Sequence, residues 1–425
     1  MKRAVALTLA GAATVGLSVS TVVPAQAAVT ITWLTDNSEQ GVTVGKATIA
    51  AFQKANPGIK VVMRTRNGGS DADNLVKTKL STGTMEDVFN YNPGALLQAL
   101  NPAKTLVDLT KESWQKNVYD SFKPSVTAGG KLYGAPWGGA MGGGIYYNLA
   151  DFRKAGITST PKSWAQFIAA AQALKAKGIT PICGTFGDSW TAQLFVLADY
   201  FNVQATVPNF AKDYTAGKMK YAKVPAALKS FQRLEDTFKK GLYNSDANTA
   251  KFQDGVDRVV SGECGMYPML TFVTASLPKE KVNNVGFFAQ PGDSASSYGL
   301  TTWMPMAMYI PKTTKHLAEA KKFVAFIASK AGTDTRVKAE GYLSPFLTKD
   351  QSPAPASAPQ ATKDLAKLLA GKTAPALEFV SPIKGPNLPG LTVQVATGQV
   401  TAAEGAALYD TDVVKQAQQL GLKGW

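Results

Sequence analysis

Val29-Thr-Ile-Thr-Trp-Leu34 alternates apolar and polar side chains, the two-residue period of a half-buried strand. A helical stretch follows, with Val44, Ala47, Ala51 and Phe52 near one face, until Asn56-Pro57-Gly58 halts it and Ile59 to Met63 resumes as a strand. Strand, helix and strand of these lengths form a βαβ unit, which requires a parallel sheet covered by helices, so the fold class is α/β. The same grammar recurs downstream. Ser163 and Gln166 form a capping box ahead of Trp164, Phe167, Ile168, Ala171 and Leu174 at helical spacing, Gly178 ends that helix, and Ile179 to Phe186 reads as a strand. Trp303 to Ile310 reads as a further strand, followed by a helix carrying Leu317, Ala320, Phe323, Val324 and Ile327. The Ser, Pro and Ala run from Ser352 to Pro359 reads as a surface linker. Thr401-x-x-Glu404 is a capping box opening a last helix toward Leu420. No fixed-period repeat is present.

Lys2 and Arg3 precede an apolar, small-residue run that ends in Pro24-Ala25-Gln26-Ala27, the pattern of a secretory signal peptide cleaved after Ala27. Gly11, Thr14, Gly16, Ser18 and Ser20 interrupt the run too often for a membrane span. The expectation is an exported, soluble chain. Of 425 residues, 27 belong to the leader and 398 remain, more than one core normally supports, so two domains are expected. The formal charge of +15 falls to +13 without Lys2 and Arg3. Its lysines are scattered along helix faces (Lys175, Lys177, Lys239, Lys240, Lys321, Lys322) rather than gathered in an arm. That spread, with export, argues against a nucleic-acid partner. Cys183 and Cys264 are the two cysteines. In an oxidising compartment they are candidates for one disulfide, and the sequence leaves open whether their Cα atoms approach within about 7 Å.

His316 is the single histidine, at the start of a helix, so no Ser-His-Asp or Cys-His mechanism and no His/Cys metal site is expected. Two opposed carboxylates would suffice for glycoside hydrolysis, and Asp36, Glu39, Glu86, Asp87, Asp188 and Glu263 would be the candidates. Such acids more often cap helices or face water. Gly138-Gly139-Ala140-Met141-Gly142-Gly143-Gly144 lacks the Gly-Lys-Ser/Thr ending of a phosphate loop and reads as a mobile connection. What these exclusions leave is a set of aromatics beside Gly, Pro, Asp or Asn at strand ends: Trp33, Trp137, Trp190, Tyr267, Trp303 and Tyr342. Ligands of open α/β sheets bind beyond the carboxyl ends of strands. An indole covers the C–H face of a sugar ring while Asp and Asn serve its hydroxyl rim, so these aromatics, with Asp188 and with Asp36-Asn37, point to a polyol or sugar cleft.

The chain resembles the extracellular solute-binding proteins of carbohydrate ABC importers, the class that includes maltose-binding protein. The likeness is carried in order by Val29 to Leu34, Ala51-Phe-Gln-Lys-Ala-Asn-Pro-Gly-Ile-Lys-Val61, Glu86-Asp-Val-Phe89, Gly130-Lys-Leu-Tyr-Gly-Ala-Pro136, Asp188-Ser-Trp190, Ser261-Gly-Glu-Cys-Gly-Met266 and Gly341-Tyr-Leu-Ser-Pro345. It implies a two-lobed, type II periplasmic-binding-protein-like fold, each lobe a mainly parallel sheet flanked by helices and joined by hinge segments. Residues 28–136 with 303–344 would make one lobe, and 137–302 with 345–425 the other. By position, Trp190 looks like the family's stacking aromatic and Asp188 like a hydroxyl acceptor. The stretch before Trp303 resembles the loop at a lobe crossing, and Tyr342 the aromatic near the last one. Asp36, Asn37, Asp87, Trp137 and Tyr267 would complete the ligand-binding set. The resemblance implies a monomer that binds a carbohydrate, docks on importer membrane subunits, needs no cofactor or metal and catalyses nothing. A same-fold receptor for a peptide or organic anion, or a secreted carbohydrate-active enzyme, are the alternatives. Gram-positive relatives commonly carry a lipid-bearing cysteine after the leader; this leader ends in Ala-Gln-Ala, which leaves a periplasmic, surface-held or released protein.

Overall fold

A computed structural model describes Met1, residues 28–68 and residues 70–425, so the leader reading falls almost wholly outside the described residues. The opening strand–helix–strand forms as its periodicity requires. β1 (Val29–Asp36) and β2 (Ile59–Arg66) pair in parallel over their whole length, with helix Glu39–Ala55 between them capped by the Ser38 side chain. β3 (Val88–Tyr91) joins β1 in parallel on its other side. β4 (Thr127–Ala128) and β5 (Lys131–Leu132) make a small separate hairpin, and β6 (Gly134–Pro136) returns to the first sheet.

β7 (Met141–Asn148), β8 (Thr180–Ile182), β9 (Cys264–Leu270), β10 (Val285–Ala289) and β11 (Leu300–Trp303) build a second sheet. The chain then goes back to the first sheet as β12 (Ala307–Tyr309) and ends its strands with β13 (Thr373–Pro375) in the second. The orders are β2-β1-β3-β12-β6 and β13-β11-β7-β9-β8, with β10 also paired to β7. Each sheet has its own core. Trp33, Phe52, Phe89, Tyr309 and Phe323 pack in the first; Tyr146, Phe167, Phe231, Tyr267 and Trp303 pack in the second.

Both capping boxes read from the sequence are present, at Ser163/Gln166 and Thr401/Glu404. Two readings need correction. Trp303 to Ile310 is not one strand: Met304-Pro305-Met306 separates β11 from β12, which lie in different sheets, and Pro305 has no N–H to continue a ladder. The glycine run is not chiefly a loose connection either. Gly138 alone in it has a positive φ, 125°, whereas Gly142 to Gly144 lie within β7. At Gly143 a Cβ would stand 2.7 Å from the Trp303 ring, so the absent side chain is what lets the indole pack on the strand.

Three segments pass between the sheets: one between β6 and β7, one between β11 and β12, and one after Lys349. Residues 345–349, expected in the second lobe, stay on the first, because Leu347 packs in its core and Leu347 to Lys349 bond to Asn117–Tyr119. The first two segments and the loop leading to the third are tied to one another. Trp137 N–H donates to Met306 O at 2.8 Å, and Ala140 N–H donates to Pro345 O at 2.8 Å. Gly139 also bridges to Phe346.

Candidate functional site

Strand direction locates the site. In the second sheet β8, β9, β11 and β13 run one way and β7 the other, so the ends of the first four and the start of β7 share one edge. In the first sheet the ends of β1, β2, β3 and β6 and the start of β12 likewise share an edge. The segments joining β6 to β7 and β11 to β12 both leave from these edges, which therefore face one another. They come close: a Cβ on Gly94, just past β3, would stand 2.2 Å from Glu378 O, just past β13.

Beyond β8, Trp190 stacks obliquely on Phe252 (centroids 5.4 Å apart) and Phe272 (6.0 Å), and those two rings are 5.6 Å from each other. All three are half-buried. Asp188 builds this platform: its Oδ2 accepts from the Phe252 N–H at 2.8 Å, pinning the start of helix Phe252–Ser261 and with it the Phe252 ring.

At the other end of the second sheet, beyond β13, Glu378 accepts from Trp303 Nε1 at 2.6 Å and from Lys384 Nζ at 2.8 Å. Lys384 faces the first lobe across a cavity of about 220 Å³ whose wall mixes polar Asp73, Asn74, Lys77, Lys384, Asn387 and Gln416 with apolar Ala95, Leu96, Ala99 and Pro386. Behind it Arg66 donates to Asn90 O (3.0 Å) and Asn67 O (3.3 Å) and lies 5.8 Å from the Tyr91 ring centroid. Burial holds the Asp73 carboxyl above its usual range, an effect that the Tyr91 hydroxyl and the Lys384 ammonium partly offset. The Tyr91 hydroxyl influences Asp73 yet meets no partner at hydrogen-bonding geometry among the described residues, and Arg66 Nε is likewise unsatisfied.

The residues expected from sequence divide unequally. Asp188, Trp190 and Trp303 lie at the facing edge, as do Asp36 and Asn37. Asp36 Oδ1 accepts from the Ser38 N–H at 3.2 Å, and Asn37 Nδ2 donates to Asn67 Oδ1 at 2.9 Å, tying together the loops after β1 and β2. Trp137 and Tyr342 sit at the crossings. Trp137 is sandwiched edge-on by Trp33 (5.2 Å) and faced by the Arg336 guanidinium (4.7 Å), and Tyr342 meets the edge of Phe346 at 6.2 Å. Tyr267 is corrected: its ring is 1 % exposed and its hydroxyl is spent on Thr185 and on Phe252 O, because alternation along β9 turns it toward helix Phe252–Ser261.

Asp87 is corrected too. It stands before β3, at the edge away from the crossings, accepting from Thr32 N–H and Oγ1 and from Thr314 Oγ1. Burial pushes its pKa up, but these hydrogen bonds outweigh burial and leave it below the ordinary value. Asp87→Ala is therefore expected to cost about 2 kcal/mol of stability and to leave ligand affinity unchanged. Because the folded pKa is depressed, the contribution is complete above the ordinary carboxylate range and disappears as pH falls through the folded value; urea melts at neutral and acid pH check it.

Cys183 and Cys264 are free, buried thiols here, and no bridge joins them. Burial, then the neighbouring Cys264, pushes the Cys183 thiol well up, so no thiolate forms near neutral pH. A colorimetric thiol reagent is expected to find none in the native protein and two after unfolding. Among the described residues no group of three or more His, Cys, Asp or Glu could hold a metal ion.

Sequence reasoning missed Phe252, Phe272, Arg66, Asp73, Tyr91, Glu378 and Lys384. Tyr91-Asn92-Pro93 at a strand end carried the same aromatic-plus-turn signal as the residues chosen; Lys384, in an irregular loop, carried none.

The profile of the bacterial extracellular solute-binding protein family matches residues 35–334. The chain belongs to that family. This binding protein is 25 % identical over 312 residues to a multiple sugar-binding protein of Streptococcus mutans, covering 71 % of each chain. Among solved structures it superposes on a chitin oligosaccharide binding protein with a TM-score of 0.80 at 24 % identity, covering 92 % of this chain and 99 % of that one. A solute-binding protein in complex with raffinose gives 0.76 at 22 %, covering 92 % and 100 %. The binding protein thus has the two-lobed, type II periplasmic-binding-protein fold. No helix among the described residues is long and apolar enough to cross a membrane.

Proposed function

We propose that this protein is the extracytoplasmic sugar-binding component of an ABC importer, capturing a carbohydrate between its lobes and presenting it to the membrane subunits as a monomer. One observation carries the reading: an open aromatic platform and a set of charged and amide side chains share the same interlobe edge. A sugar has both surfaces these would complement, an apolar ring face and a hydroxyl rim. The relatives named above bind sugars, which supports the same class here. The lobes are joined near Pro136–Trp137, at Met304–Met306 and after Lys349, and a ligand touching both favours closure by its differential affinity for the closed form. No hydrolytic step is assigned: Asp188 is engaged by a backbone N–H and Glu378 by an indole and an ammonium group.

Mass spectrometry of ligand copurified with the native protein tests this. An intact glycan is the expected result, with a raised melting temperature when it is added back. A peptide or organic anion in its place would overturn the carbohydrate reading, and cleaved glycan after prolonged incubation would overturn the non-enzymatic one.

A further inference from the structure

In this structure Gly94 lies close against the Glu378 carbonyl and helix Glu39–Ala55 contacts Thr271–Ser276, so the lobes are together on two sides and the arrangement is a closed one. Any opening has to be absorbed by the short segments that join the sheets. Between β6 and β7 lie only Trp137 to Ala140. Trp137 is not free to bend. It is buried, its N–H is held by Met306 O, its ring meets the edge of Trp33, and the Arg336 guanidinium covers its face at 4.7 Å. The space left beside this pair is about 10 Å³, room for a water but too little for an indole to swing into.

Arg336 is itself fixed to the first lobe. It stands on helix Lys330–Glu340, which packs on helix Glu39–Ala55; its Nε donates to Glu340, whose other oxygen accepts from Gln40 of that second helix. A guanidinium suits this place because it is flat: its face stacks on the indole while its edge forks onto the carboxylate, which an ammonium group cannot do. Past Trp137 the chain changes character. Gly138 has a φ of 125°, which L side chains rarely adopt, and a Cβ there would stand 3.4 Å from Pro305 Cβ and 3.6 Å from Arg336 Cζ. At Gly139 a Cβ would collide with Ser344 and Pro345. The glycine pair has the backbone freedom that a pivot needs, and Arg336 stands at its first-lobe end.

Resting on the reading of a receptor that closes around its ligand, we propose that Arg336 is a positioning residue for closure. By clamping the Trp137 indole to the first lobe it confines bending to Gly138–Gly139, so that the lobes return to one register each time they close. Trp137 is then the base of the joint.

Spin labels at Lys46→Cys and Lys279→Cys test this. Both positions are exposed, one on helix Glu39–Ala55 and the other just past Thr271–Ser276, so their separation reports opening, while buried Cys183 and Cys264 stay unlabelled. Double electron–electron resonance without added sugar is expected to show the interlobe distance distribution broadened about twofold by Arg336→Met, at a melting temperature close to the parent's. Arg336→Lys, which keeps the charge and loses the flat face, should follow Arg336→Met; Trp137→Phe, which keeps a ring under the guanidinium, should stay near the parent. Should Arg336→Met fail to fold, Glu340→Gln keeps the guanidinium and loosens its anchor, and a smaller broadening is expected. A distribution unchanged in the folded Arg336 variants, or in Glu340→Gln where those do not fold, would overturn the proposal. With raffinose or a chitin tetramer added, the parent distribution should narrow and that of Arg336→Met narrow less. A parent indifferent to both sugars bears on the sugar reading, and the distances measured without sugar still decide the joint.

Discussion

Arg233→Ala is expected to lower the stability of the second lobe by about 3–5 kcal/mol, shifting its melting transition by roughly 10 °C. Arg233 and Asp199 form an ion pair whose side chains are 6 % and 0 % exposed. Asp199 also accepts from Ser230 Oγ and Asn202 Nδ2, each at 2.8 Å, and Arg233 continues to Asp293 at 2.7 Å. The intact pair adds little net stability, since desolvating two charges offsets most of their attraction. Removing one partner is different, because the other stays buried and unpaired.

Burial already holds the Asp199 carboxyl above its ordinary value, and Arg233 is the foremost influence pulling it back down. Without Arg233 the folded pKa rises further, so the native variant binds a proton that the unfolded chain does not. The deficit relative to the parent therefore grows as pH rises above the ordinary carboxylate range toward that folded value. Calorimetry at pH 5 and pH 8 should show the larger loss at pH 8. A uniform loss would mean that packing against Trp164, 5.8 Å from the guanidinium, matters more than charge.

Trp190→Ala is expected to weaken ligand binding by about 1–3 kcal/mol, roughly a 5- to 150-fold rise in Kd. The indole is half-buried and backed by Phe252 and Phe272, so it is held rigid at little further entropy cost on binding. Trp190→Phe keeps a ring over the same neighbours and should recover most of the loss. Trp190→Ala also exposes those neighbours, so its own melting temperature belongs beside the affinity; unchanged affinity with normal folding would place Trp190 outside the site.

Much of the fold was legible because its signals are local. The period-2 run at Val29–Leu34 and the stop at Asn56-Pro57-Gly58 need only near neighbours to act, as do the capping boxes at Ser163 and Thr401. The failures share a cause. Tyr267 and Trp190 have the same local signature, an aromatic near a strand end. Only the pleat of β9 turns Tyr267 against a helix while Trp190 lies beyond its strand. Asp87 and Asp36 flank strands of one sheet, yet strand direction puts one before β3 and the other at the end of β1, on opposite edges.

By itself, then, the sequence determined the α/β class, the unit that starts it, the excess of basic charge and the poverty of catalytic groups, since periodicity and composition act within a few residues. Tertiary structure alone decided which side chains share the cleft. Asp73 and Lys384 are 311 positions apart, and nothing local distinguishes either from a surface charge. They line one cavity because strand order sets which loops share an edge, and three chain crossings set which edges face each other.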